Sequence, residues 1–288
     1  MKMAIPPLVL LDIFVVLVML SIGLRINRAE LWQALRNRAL FLRTLVANCV
    51  IVPALGFVLV KIFPLTPDAS LGLLLLAAIP GTPVALQFTR MAKSRLAFAA
   101  VMIFVLSLVS IAITPLALKV MPQTAERSER PILNLTVTIL LYLAVPLFAG
   151  SWLAQRLPRL APRLVLPLEL IASGMFLYLM WVTRLARRDA LLAIAGRGTI
   201  LAMFLLLVLS MLLGWFLGGP DRESRRVLAT STGMRSVIVV LYIARYCFPG
   251  TNVYMVPVVY LTLMVPANML FHLSYWLWNR LRPATTSV

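Results

Sequence analysis

The sequence predicts an all-α polytopic membrane protein with about nine transmembrane helices, arranged as an inverted structural repeat with two broken crossover helices. Three observations lead there. Apolar stretches of about 20 residues, the length that crosses about 30 Å of hydrocarbon, recur along the chain. Basic residues cluster in the short loops between them. Two of the stretches carry helix-breaking residues deep inside.

Of the 288 residues, 62% are hydrophobic and 12% are charged. Soluble domains run at about 45–50% apolar and about 25% charged, so this surface needs lipid. The net charge of +18 would suggest nucleic acid in a soluble protein. Here the Lys and Arg flank apolar segments, which excludes that class. Cys49 and Cys247 lie in apolar segments without a CxxC or Cys/His cluster, so neither a metal site nor a cofactor is expected. His272, beside Phe271, Tyr275 and Trp276, reads as a packing or interfacial histidine. The first apolar segment ends in Gly23-Leu24-Arg25 and lacks a small-residue cleavage site, so it reads as a retained helix.

The spans in order are 5–24, 41–63, 69–92, 95–120, 132–156, 164–184, 198–218, 224–247 and 253–278. No ten-residue alternation suggests a β-barrel. Basic groups recur on one face: loop 25–43, then Arg90 to Arg95, Arg156 to Arg163, Arg222 to Arg226, and Arg280 with Arg282. That face is assigned to the cytoplasm, which puts the N-terminus outside and the C-terminus inside. The aromatic cluster around Tyr275, Trp276 and Trp278 fits an interface belt.

Loop 184–197 breaks the rule, and the exception has a pattern. Arg25, Arg28, Ala34 and Arg38 recur as Arg184, Arg187, Ala193 and Arg197, at a constant offset of 159. Five spans separate the two copies, so they face opposite sides, as in an inverted-topology repeat. The units are then 1–120, with the first helix of the unit missing, and 132–288. The polar stretch 121–131 connects them.

The breaks fall at Ile79-Pro80-Gly81-Thr82-Pro83 and at Ser231-Thr232-Gly233-Met234-Arg235-Ser236. A break at membrane depth frees backbone N–H and C=O groups. It also presents half-helix dipoles to a solute, and paired breaks point to a transport site. Thr82, Gln87 and Thr89 flank the first break; Thr230, Thr232 and Ser236 flank the second. These side chains either bind solute or satisfy the freed backbone.

Several of these motifs resemble the bile acid:sodium symporter family. They are Met19 to Leu24 before a basic loop, Asn48 to Pro53, and Pro80-Gly81 followed by Thr89 to Lys93. Thr114-Pro115-Leu116, Val145 to Gly150 and Thr232-Gly233-Met234 extend the likeness across nearly the whole chain. The resemblance implies a secondary transporter, and the candidate solute contacts around the two breaks are Asn48, Pro80, Gly81, Thr82, Gln87, Thr232, Gly233, Arg235 and Ser236. It also implies a sodium site, and this chain departs from that pattern. The family's Ser-Asn pair falls on Ala85 and Leu86, further polar positions on Ala99 and Ile103, and the crossover acid on Ser231. Its Gln-Asn falls on Arg235 and Ser236, and Asn48 stands where the first half has Gln.

Arg235, near the middle of a span, costs at least about 2.5–3.5 kcal/mol to insert, so it must face a cavity or a partner. Two readings stand. Its guanidinium takes the electrostatic role of a sodium ion and binds a carboxylate with two N–H donors. Alternatively it pairs with Asp12 or Glu169, the only acids within spans. Asp12, Glu169 and Ser231 are candidates for proton or ion coupling. Two simpler readings apply: Asp12 solvated near the outer end of its span, and Glu169 placed by the helix dipole just after Pro167. Arg245, near an outer end, is expected to snorkel.

The leading function is a secondary carrier of a small organic anion, working by alternating access in a bacterial inner membrane as a monomer or homodimer. An efflux carrier of related fold is the transporter rival; an arsenite carrier would want a cysteine at the break, and none is there. A non-transporting sensor or scaffold derived from a carrier is another class. No Ser/Lys, Asp/Asp or HExxH constellation supports an enzyme.

Overall fold

The computed structural model describes residues 7–25, 32, 38–81, 96–120, 137, 140–186, 196 and 198–281. Among these the regular structure is helical, with no strand. The helices are α1 (Pro7–Leu24), α2 (Arg38–Ile62), α3 (Pro67–Ala78), α4 (Leu96–Val120) and α5 (Val145–Arg156). They continue with α6 (Ala161–Ala186), α7 (Thr199–Leu217), α8 (Arg222–Gly233), α9 (Val237–Cys247) and α10 (Met255–Leu281). The connector 121–131, Thr82, Gln87 and Thr89, and most of the two charged repeat segments lie outside the described residues.

Four helical stretches are long and apolar enough to cross a membrane: Arg38–Ile62, Thr199–Leu217, Arg222–Cys247 and Met255–Trp278. Val9–Leu24, Pro67–Ala78 and Val101–Ser110 are shorter apolar helices. Large apolar side chains such as Phe57, Leu170, Leu177, Trp181, Phe216 and Leu270 point outward, as lipid-facing surface requires. The α8–α9 stretch is instead buried along its whole apolar window, so the second break sits at the centre of the molecule.

The helices pack as two groups. In the first, α1 lies between α5 and α6. Gly23 and Gly150 set the α1–α5 distance: a Cβ on Gly23 would stand 2.2 Å from the Leu147 carbonyl oxygen, and one on Gly150 2.3 Å from that of Leu20. Small residues that let backbones approach this closely are the usual membrane helix contact. The second group gathers α2, α3, α7, α8, α9 and α10. α4 packs on members of both groups, and α1 meets α9 across the seam.

Two π-helical turns interrupt this regularity, at Ala47–Ile51 inside α2 and at Leu140–Ala144 before α5. Each is followed by a proline at the second residue on, Pro53 and Pro146. Proline has no N–H to donate and its ring crowds the carbonyl four residues back, which a wider turn relieves.

α6 starts at Ala161, with Pro167 inside it. Glu169 therefore stands beyond the second turn of its helix, too far in for the helix dipole to explain it.

Candidate functional site

The two breaks meet. α3 begins with Thr66 as its cap, whose hydroxyl oxygen accepts from the Ala69 N–H at 3.2 Å. It ends where Pro80 forces Ile79 into an extended conformation, φ −105° and ψ 98°. Gly81 then takes φ +83°. α8 begins at the Asp221 cap, which accepts from the Ser224 N–H at 3.1 Å. It ends at Gly233, with Met234 extended at φ −85° and ψ 98°. The Ser236 N–H donates across the gap to the Ile79 carbonyl at 3.3 Å, joining one break to the other.

Arg235 is fully buried in this junction. Its Nε donates to the Leu76 carbonyl at 2.9 Å, and Nη1 to the Asn48 side-chain oxygen at 2.8 Å. Nη2 donates to the Ala77 carbonyl and, at 3.4 Å, to the Asn48 carbonyl. Four of the five guanidinium N–H groups are thus engaged by oxygens of α2 and α3. The last carbonyls of a helix have no intrahelical donor and carry the negative end of its dipole, so a cation is well placed there.

The amide of Asn48 is itself oriented. Its Nδ2 donates to the Thr44 carbonyl at 3.0 Å and to Thr232 Oγ1 at 3.2 Å, which turns Oδ1 toward Arg235. The π turn carries Asn48 to this place. On the far side, Tyr260 Oη donates to the Gly233 carbonyl at 2.8 Å, capping α8. Ser110 Oγ donates to the Pro80 carbonyl.

Asn48, Pro80, Gly81, Thr232, Gly233, Arg235 and Ser236 are thereby brought together, all buried. Ser231 lies in the same stretch, its hydroxyl bonded to the Leu228 carbonyl at 3.2 Å. Asp12 and Glu169 stand apart from it, so the expected alternative of an ion pair with Arg235 is not what the structure contains. Glu169 pairs with Arg25, which donates from Nε at 2.8 Å, and accepts from Ser21 Oγ at 3.2 Å. Asp12 accepts from Tyr246 Oη, at 2.6 Å and 2.8 Å to its two oxygens. Among the described residues no acidic side chain pairs with Arg235.

A second polar cluster joins α8 to α10. His272 Nε2 lies 3.0 Å from Thr230 Oγ1, and its Nδ1 lies 3.4 Å from Arg226 Nη2. Arg226 stacks on Tyr275 at 4.1 Å and Arg222 on Trp278 at 5.7 Å, so part of the expected aromatic belt packs on basic residues of α8. Arg245 likewise stacks on Tyr254 at 4.8 Å.

Sequence reasoning missed Tyr260, the two π turns, and the contacts among Tyr142, Tyr242 and Tyr246. The prolines at 53 and 146 signal the turns; nothing in the pattern marks these tyrosines apart from others in apolar spans.

No curated protein matches the chain. Residues 12–213 match the family described as sodium bile acid symporter. That range holds the first break, both π turns, Asn48 and the Gly23–Gly150 contact, and stops short of Arg235. With most of its length matched and its apolar helices folded around paired breaks, this integral membrane protein belongs to the sodium bile acid symporter family of membrane transporters.

Proposed function

We propose that the protein is a secondary carrier that moves a small organic anion by alternating access around the joined breaks, without sodium. The observation that carries this reading is Arg235, a fully buried guanidinium set among carbonyl oxygens with no carboxylate beside it among the described residues. Coulomb's law decides the sign. At about 4 Å and an effective dielectric of about 20, a unit charge gains or loses about 4 kcal/mol beside this group. A sodium ion there is repelled and an anion is attracted by that amount. Sodium also needs several oxygens, and those nearest already accept N–H bonds from Arg235.

In this conformation Arg235 acts on the anion through its field and through one remaining N–H, not as a two-pronged clamp. Asp12 and Glu169 have partners of their own, so the anion's own gradient is the proposed driving force. The same reading takes 1–120 and 132–288 as inverted units, the N-terminus as external, the C-terminus as cytoplasmic and the bacterial inner membrane as the site. A non-transporting scaffold is the second reading, favoured by how completely Arg235 is engaged by the protein itself.

Counterflow of benzoate, succinate and cholate in proteoliposomes separates these. The expected result is exchange of at least one anion at the same rate in sodium and in potassium, reduced about a hundredfold or more by Arg235→Gln. Exchange that requires sodium overturns the sodium-free mechanism. Exchange that survives Arg235→Gln overturns the role of Arg235. No exchange of any anion favours the scaffold.

A further inference from the structure

Two tyrosines one helical turn apart on α9 are treated differently by their surroundings. Residues four apart share a helix face, so Tyr242 and Tyr246 lie one above the other, ring centroids 4.5 Å apart. The Tyr246 hydroxyl is satisfied by Asp12 of α1, as described above. The Tyr242 hydroxyl is buried and has no hydrogen-bond partner among the described residues. A buried hydroxyl left unmade is unfavourable, and buried polar groups are otherwise almost always paired, so an orphan needs an explanation.

Its position supplies one. α9 is the half-helix that follows the second break, so Tyr242 stands two turns beyond Arg235. Its ring also contacts Tyr142, at 5.7 Å between centroids. Tyr142 lies in the π turn Leu140–Ala144 that leads into α5, in the other helix group. π turns recur at functional sites, and the matching turn in α2 holds Asn48 against Arg235. The tyrosine pair therefore straddles the seam that must open and close if the groups move against each other.

We propose that Tyr242 is a solute-contacting residue: its hydroxyl donates a hydrogen bond to an oxygen of the transported anion when the seam between the helix groups opens beside it. The donor suits a carboxylate or another oxyanion, and the faces of Tyr142 and Tyr242 suit an apolar body attached to it. Asp12 and Tyr246 are positioning residues. By accepting from Tyr246, the Asp12 carboxylate holds that ring beneath Tyr242 and has its own charge partly compensated, which lessens its repulsion of an anion.

This inference rests on the carrier reading, and its test tells the two apart. Tyr242→Phe removes one oxygen that bonds to none of the described residues. Its melting temperature in detergent is therefore expected to equal or exceed that of the parent. For whichever of benzoate, succinate or cholate the parent exchanges best, KM is expected to rise about tenfold or more, with the maximal rate within about twofold. Stabilisation of the protein by that anion falls in parallel. Tyr246→Phe breaks the contact with Asp12, so it lowers the melting temperature and raises KM by a smaller factor. An unchanged KM in Tyr242→Phe beside an active parent overturns the role of Tyr242 and leaves the carrier standing. A lowered melting temperature in that variant with the anion's stabilisation intact assigns the hydroxyl a structural bond and also overturns it. A parent that exchanges none of the anions overturns both.

Discussion

The two breaks reach nearly the same backbone geometry from different chemistry. Ile79 and Met234 each leave their helix at ψ 98°. At the first, the cause is local: Pro80 disfavours helical backbone at Ile79 and Gly81 takes a left-handed φ. The second contains no proline, and all of it is buried. Ser231, Thr232 and Gly233 favour helix only weakly, and the helix ends where long-range bonds replace the helical ones. Tyr260 takes the Gly233 carbonyl, and Ser236 donates to Ile79. Arg235 bonds the end of α3 from the second break. One break is thus written in its own residues, and the other is held by the first.

The sharpest way to break that asymmetry is to remove Arg235. Arg235→Ala leaves the Leu76 and Ala77 carbonyls and the Asn48 amide without their donor in a buried place. A buried acceptor left without its donor costs about 1–3 kcal/mol, and several are left here. A fall in melting temperature of several degrees in detergent is expected, with transport abolished. Because the vacated space is lined by oxygens, guanidinium at millimolar concentration is expected to restore part of the melting temperature. Equal melting temperatures for variant and parent would mean that the junction does not depend on this side chain.

A smaller effect is expected at the glycines of the two breaks, and it should differ between them. At Gly81, alanine meets a left-handed φ of +83° and a Cβ contact of 3.1 Å with Leu106. The backbone term alone is about 1–2 kcal/mol. At Gly233, the backbone is helical and a new Cβ would meet Met211 Cγ at 2.2 Å. That carbon moves only by rotation about the Met211 Cα–Cβ bond, and Met211 is buried, so the whole side chain must repack. Gly233→Ala should therefore lower the melting temperature in detergent more than Gly81→Ala. The reverse order would place the greater rigidity at the first break.

This contrast also explains what could be read in the chain. Pro80 and Gly81 act on their own neighbours, so the first break was visible in four letters. Gly233 and Arg235 marked the second as anomalous, since an arginine in an apolar span demands a partner. The partner itself was not visible. Carbonyls at 76 and 77 carry no side-chain signature, whereas the acids at 12 and 169 stand out because charge pairs are what a sequence displays. Glu169 was claimed by Arg25 and Asp12 by Tyr246, across separations of 144 and 234 residues. The helical class and the apolar spans needed only periodicity and composition. Which buried tyrosine caps a carbonyl, as Tyr260 does, depends on how α10 lies against α8, and no local pattern encodes that.

The finest test of the comparison is Tyr260→Phe. It removes one hydroxyl from a fully buried ring and leaves the ring's packing in place. The Gly233 carbonyl loses the donor that caps α8, while Arg235 and its oxygens are untouched. A single neutral hydrogen bond of this kind is worth about 1 kcal/mol, with a further penalty if the carbonyl stays dry. The melting temperature should fall by a few degrees, less than in Arg235→Ala. The two changes act on opposite faces of one junction, so their effects should be non-additive when combined. Strict additivity in the double variant Arg235→Ala with Tyr260→Phe would mean that the ends of α3 and α8 are held independently, and the dependence of the second break on the first would fall with it.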